Sequence, residues 1–332
     1  MQIRNIYEFF EMNFNYFGLV TNIKDIIRKN VFSPQVKKKL INHLNQKYRI
    51  SNNKIDFYDH HTCHYLTPLG FYNIDMSKRI LLVSFDGEGD FYSSKICLYE
   101  KNNFNEISTS KYENSLGLFY SSITKALGMQ PNNHEYKVMG LAAFNEKNKY
   151  VNKILSYLKK IIFIDENNLT IKSTMNTYLI GDYLKKKLPN IRFDNFASAA
   201  QIFLEEIVIN FFKILIEKFQ PDTITLSGGL FLNVKLNQKL LENFNSIKFY
   251  IQPTGGDESL GIGAAYNYNR INNFKSISIE TMYLGRNINS KIVKDYLINN
   301  SDIDKNFELT KYDTDEDLNK KIADLIINNE VV

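Results

Sequence analysis

The chain has 332 residues, 44% of them hydrophobic, and its 41 Lys and Arg against 36 Asp and Glu give a net charge of +5. At about 150 residues per domain this length accommodates about two domains, and the apolar content excludes a disordered chain. With 15 Gly and 6 Pro it is not collagen-like or of low complexity, and its basic residues are scattered. The basic runs are no longer than Lys37-Lys38-Lys39 and Lys185-Lys186-Lys187, so a nucleic-acid partner is not expected.

Residues 1–50 read as amphipathic helix, with a break at Pro34. An extended stretch from Lys54 to Tyr58 follows, then Asp59-His60-His61-Thr62-Cys63-His64 and helix or loop to about Tyr72. Arg79 to Phe85 is a buried-strand run that stops at a turn signal, Asp86-Gly87-Glu88-Gly89-Asp90. Residues 91–99 alternate as a second strand, and 104–110 form a candidate third. Leu116, Phe119, Tyr120, Ile123 and Leu127 have helical spacing, with Gly128 as the stop.

Residues 130–193 read as an insertion of mixed character. A long helix from about Ala197 to Phe219 precedes strand 223–226, Gly228-Gly229, a helix near 231–243, strand 247–251, Gly255-Gly256 and a helix near 259–270. A strand meander followed by alternating strands and helices predicts an α/β fold, a mixed sheet covered by helices, of the RNase H-like kind. Residues 272–332 read as a short strand-helix region and a terminal helix.

Cys63 and Cys97 are too few for a disulfide framework or a four-thiolate zinc site, which favours a reducing cytoplasm. Residues 1–20 carry Glu8 and Glu11 and lack a cleavable apolar core, so no signal peptide is expected. No apolar run approaches the roughly 18–20 residues that span a bilayer.

Histidines 60, 61 and 64 cluster, and His60 and His64 are four apart. On a helix both imidazoles share one face and can share a metal; with a carboxylate they form the two-His, one-carboxylate type of site. The alternative is a polar turn or a structural histidine. Asp86, at a strand end beside Gly87, can orient a metal, a water or a hydroxyl, or serve a hairpin turn. Gly228-Gly229 with Asn233 sits at a helix N-terminus where phosphate or ribose can bind, or where a packing turn suffices. Gly255-Gly256-Asp257 repeats this arrangement one strand later: Asp257 is the third candidate metal ligand or a helix N-cap. Lys137 is a candidate phosphate or carbamoyl-oxygen contact, against a solvated loop. Cys63 reads as a buried small residue rather than a nucleophile.

Six segments in order resemble the O-carbamoyltransferase family of nodulation-factor and antibiotic-tailoring enzymes. They are Asp59 to His64, Asp86 to Asp90, Ser115 to Tyr120, Glu135 to Leu141, Ser227 to Asn233, and Gln252 to Asp257 with Gly261 and Gly263. The family's catalytic domain is similar to the tRNA threonylcarbamoyl-transfer protein of the actin/hexokinase superfamily. The resemblance runs from about 57 to 268. It implies an actin/hexokinase-like fold with an incomplete first lobe at 1–78. A second lobe would span 79–271, and 272–332 would lead toward a C-terminal domain missing from this chain.

It also implies a metal, Fe(2+), on His60, His64 and Asp257, and nucleotide contacts from Gly87, Gly228, Gly229, Asn233 and Gly256. Asp86 and Lys137 would be catalytic. The implied reaction passes a carbamoyl group from carbamoyl-adenylate, made from carbamoyl phosphate and ATP in the C-terminal domain, to a hydroxyl of a small-molecule acceptor. Residues 1–50 lack the family's first phosphate loop, and Asp90 stands where Glu is usual. Two alternatives are carried forward: a non-catalytic module that holds a metal or nucleotide, and a tRNA threonylcarbamoyl transferase-like protein.

Overall fold

The computed structural model describes residues 33–145, 147–285, 289–299 and 310–330. The expectation for residues 1–32, including any phosphate loop there, lies outside the described residues. The chain divides after Met282 into two compact units.

Among the described residues, the first element of the larger unit is helix α1 (Ser33–Tyr48). Pro34 falls in its first turn, where a missing N–H costs nothing. Helix α2 (His60–Phe71) starts at Asp59, whose side chain accepts the Thr62 N–H. The meander follows: β1 (Ile80–Gly89), β2 (Tyr92–Glu100) and β3 (Asn103–Lys111).

The sequence placed the first turn at Asp86–Asp90. The structure instead carries β1 through to Gly89, with a ladder irregularity between Phe85 and Gly89. The chain reverses at Asp90 and Phe91, both at positive φ. Two consecutive positive φ values suit the twist of a two-residue hairpin. Phe is an unusual residue there, which hid the turn. Lys101 and Asn102 do the same between β2 and β3.

Helix α3 (Leu116–Ala126) buries Leu116, Phe119, Tyr120 and Ile123, the face its spacing predicted. The insertion contains α4 (Glu135–Ala142), α5 (Lys149–Ile161), a hairpin of β4 (Ile162–Asp165) and β5 (Thr170–Ser173), and α6 (Ile180–Lys187). Next come α7 (Phe193–Phe219), β6 (Thr223–Ser227), α8 (Val234–Asn243), β7 (Lys248–Ile251) and α9 (Leu260–Ile271). The smaller unit holds α10 (Ser290–Asn299) and α11 (Asp315–Ile327). Among the described residues of 272–332 no strand forms, so the strand expected there is not seen.

The main sheet has the order β3-β2-β1-β6-β7. The meander is antiparallel, and β6 and β7 run parallel to β1. This is the mixed, helix-covered sheet the element order predicted. Alternation sorts the two faces. Leu81, Val83 and Phe85 join Ile96, Leu98, Ile224 and Leu226 in the larger core, with α3, α5 and α7. Ile80, Leu82, Cys97 and Tyr99 join Tyr65, Leu66 and Leu69 of α2 on the other face. Burying each large side chain of the central strand contributes about 2 kcal/mol, so a one-residue slip of register is strongly opposed.

Helix α9 crosses α2 closely. A Cβ on Gly263 would meet the Cys63 carbonyl, and one on Gly70 would meet Ile262. The His-bearing helix is thus held between the sheet and α9.

Candidate metal centre

Three parallel strands, β1, β6 and β7, end at the same sheet edge, where ligands of α/β folds collect. The end of β1 brings Asp86, and the loops after β6 and β7 bring Gly228-Gly229 and Gly255-Gly256-Asp257, to this edge. Gly228 sits at φ 94, and a Cβ there would strike the Phe85 backbone. Only glycine permits that approach.

Helix α2 presents His60 and His64 to this edge. His60 Nε2 lies 3.3 Å from Asp86 Oδ2 and 3.5 Å from Asp257 Oδ1. His64 Nε2 lies 3.4 Å from Asp257 Oδ1 and 3.8 Å from Asp86 Oδ2. One ligand atom from each of the four residues lies within 4.8 Å of the other three. Two ligands each about 2.1 Å from one ion stand roughly 3–3.5 Å apart, so these separations suit a shared divalent ion.

The donor chemistry fits as well. The His64 side chain is fully buried, and neither of its ring nitrogens has a hydrogen-bond partner. A buried imidazole without partners is costly, and a metal at Nε2 would relieve it. Gly89 leaves room for the His60 ring, since a Cβ there would overlap it.

Asp86 is the best-anchored member. Its Oδ1 accepts the Gly229 N–H at 2.9 Å, and its backbone carbonyl accepts the Ser115 hydroxyl at 2.9 Å. Burial alone would raise its carboxyl pKa. The imidazoles of His60 and His64 and the Gly229 N–H outweigh burial and hold it well below the usual carboxylate range. For His60, burial favours the neutral ring, but Asp86 and then Asp257 and Asp90 push its pKa up. His61 faces the sheet instead: its Nδ1 is 2.9 Å from Ser84 Oγ, and burial lowers its pKa to about 4.

Asp86 and Asp257 also line a cleft of about 910 Å³. Gly87, Gly229, Asn233 and Gly256 share that lining; the insertion supplies Asn132, Glu135, Tyr136 and Tyr178. Gly228 lies beneath, against Phe85. Asn233 is committed to the protein's own contacts: Oδ1 accepts the Leu236 N–H at 3.0 Å, and its carboxamide pairs reciprocally with Gln201 at 2.9 and 3.1 Å. Lys137 is exposed, its Nζ 5.7 Å from the centre of the Tyr136 ring, and it is not among the lining residues. The structure therefore gathers nine of the ten predicted site residues at one edge and leaves Lys137 outside. The sequence reading allowed Asp86 to orient a metal but counted it as catalytic; the structure adds it to the three expected ligands as a fourth member of the cluster. Gln201, the partner of Asn233, was also missed.

Residues 15–266 match the family model described as carbamoyltransferase N-terminus. An uncharacterized protein of Methanocaldococcus jannaschii is 30% identical over 287 residues, 85% of this chain and 53% of the relative. An uncharacterized protein of Synechocystis is 26% identical over 295 residues, 83% of this chain and 47% of the relative. Nodulation protein NolNO of Sinorhizobium fredii is 25% identical over 223 residues, 65% of this chain and 31% of that protein. The HypF structure from T. kodakarensis aligns with a TM-score of 0.45 at 10% identity, over 74% of this chain and 40% of that one. The chain spans about half the length or less of these curated relatives. With the family match extending over residues 15–266 of 332, the chain belongs to the carbamoyltransferase N-terminal family, a family of transferases.

Proposed function

We propose that this chain transfers a carbamoyl group from carbamoyl-adenylate to a hydroxyl of a small-molecule acceptor, using a divalent metal, iron by family resemblance. The observation that carries this reading is the position of the four-residue cluster. Asp86 and Asp257 belong both to the cluster and to the cleft lining, so a group held by His60, His64, Asp86 and Asp257 meets whatever the cleft binds.

A bound divalent ion would supply Lewis-acid polarisation of the carbamoyl carbonyl or hold a phosphate oxygen. Asp86, kept ionised by its neighbours, is a poor proton acceptor and suits a ligand's role. Glu88 and Glu135 are the other carboxylates of the cleft wall, and in this reading one of them takes the acceptor's hydroxyl proton. Gly87, Gly229 and Gly256 allow the nucleotide's phosphate close to the backbone. Asn233 holds the first turn of α8 in place beside it. Lys137 has no step in this reading. Synthesis of carbamoyl-adenylate from carbamoyl phosphate and ATP belongs, in this reading, to a further C-terminal domain of longer family members.

The test is metal content by elemental analysis after anaerobic purification, paired with AMP release from carbamoyl-adenylate in the presence of hydroxyl acceptors. Stoichiometric iron in the unaltered protein, none in His64→Ala, and AMP release lost in Asp257→Ala are expected. A folded protein that stays empty when supplied with Fe(II) overturns the reading.

A further inference from the structure

The face of the sheet beneath α2 is apolar along most of its length and becomes polar at one end. On β1 the residues facing α2 run Ile80, Leu82, Ser84; on β2 they run Tyr99, Cys97, Lys95. Ser84 and Lys95 are paired in register, directly under the first turn of α2. Both reach that turn: Ser84 Oγ to His61 Nδ1, and Lys95 Nζ to Asp59 Oδ1 at 2.8 Å.

Lys95 is only 7% exposed. Alternation would place an apolar side chain at its position, so a buried ammonium there calls for a specific reason. Its three partners supply one. Besides Asp59 it reaches Thr62 Oγ1 at 3.2 Å and Glu106 Oε1 at 3.1 Å. Asp59 is the N-cap of α2: the Oδ1 atom that meets Lys95 also accepts the Thr62 N–H at 2.8 Å and the Thr62 hydroxyl at 2.7 Å. The next backbone N–H, that of His60, donates to Asp90 Oδ2 at 2.9 Å, from the β1–β2 turn. The helix end that carries His60 is therefore tied to the meander by two carboxylates, one of them pinned by a buried lysine.

We propose that Lys95 is a positioning residue for the metal centre: acting through Asp59, it fixes the start of α2 and so the direction in which His60 meets Asp86 and Asp257. Buried ion pairs add little net stability but select one geometry, the property a ligand helix needs. Partners one step removed from the ligands typically govern metal affinity by about 10–100-fold. This inference rests on the metal reading of the four-residue cluster.

The experiment is anaerobic titration of the metal-free protein with Co(II) alone, followed by its visible absorption, for the unaltered chain, Lys95→Met, Asp59→Asn and the double variant. Asn caps helices as well as Asp, so Asp59→Asn removes the charge and keeps the cap. The double variant leaves no buried unpaired charge and guards against misfolding of Lys95→Met. Each variant is expected to bind Co(II) about tenfold more weakly, with a shifted spectrum. The double variant should be no weaker than either single, because both act through one contact. Wild-type affinity and spectrum in a folded Lys95 variant overturn the positioning role, as do additive losses or failure of every variant to fold. Absence of Co(II) binding by the unaltered chain overturns the metal reading and this inference together.

Discussion

The Gly229 N–H donates to Asp86 Oδ1 at 2.9 Å, while Asp86 Oδ2 faces His60 and His64. The loop of β6 thereby aims a carboxylate of β1 at two imidazoles of α2. Asp86→Asn keeps the shape and removes the charge. It should weaken metal binding by at least about tenfold while leaving the fold intact. Isothermal titration with Fe(II) or Co(II) and far-UV circular dichroism check this. Unchanged affinity would remove Asp86 from the ligand set.

His64 stores a cost in the metal-free protein. Its ring is buried and neither nitrogen has a hydrogen-bond partner. Leu fills a similar volume without polar atoms, and Asp86 keeps His60 and the Gly229 N–H as partners. His64→Leu removes those polar atoms but also one of the imidazoles that offset the burial of Asp86, so it should change the stability of the metal-free protein by no more than about 1 kcal/mol while abolishing metal binding. The unaltered protein should gain about 2.7 kcal/mol when the metal is present at 100 times its dissociation constant, and the variant nothing. Thermal unfolding with and without Co(II) separates the two effects. A metal-free variant destabilised well beyond about 1 kcal/mol would mean that the histidine has a structural task instead.

Gly228→Ala tests the turn that brings β6's loop to the edge. At φ 94 and ψ 156 the residue occupies a region open almost only to glycine. An added Cβ also meets the Phe85 backbone. Strain and clash together should destabilise the protein by at least about 2 kcal/mol, read as a lowered denaturation midpoint. Gly261→Ala is the control, because a Cβ there meets nothing within 4 Å.

What was legible in the sequence was local. Four-residue spacing put His60 and His64 on one helical face, a continuous apolar run marked β1 as a buried strand, and alternation marked β2. The order of strands and helices gave the mixed sheet. What stayed hidden depended on partners distant in sequence. Asp86 looks like a turn residue until the β1 irregularity and the Gly229 N–H turn its carboxylate toward α2. Asn233 lines the cleft, but its reciprocal pairing with Gln201, on α7, could not be read from the sequence. Lys95 belongs to an alternating strand whose face cannot be assigned before α2 is docked. Lys137 has charge and sits in a family segment, yet α4 turns its Val138 inward and leaves the lysine on the surface.

The cysteines give the last test, of the nucleophile that was set aside. Cys63 and Cys97 are both buried. Burial, with Asp59 nearby, pushes the Cys63 thiol up to about 11; burial with Glu106 pushes Cys97 up to about 12. At pH 8 the thiolate fraction of Cys63 is then on the order of one in a thousand, and that of Cys97 lower still. Neither thiol should react with a disulfide reagent in the native protein at pH 8, and both should react once denaturant is added. The same experiment reports on metal binding: if Co(II) tightens the packing of α2 between the sheet and α9, the slow native reaction of Cys63 should slow further, because its carbonyl lies against Gly263 of α9. Rapid native labelling of Cys63 would instead put a thiolate beside the metal cluster and reopen covalent catalysis at that position.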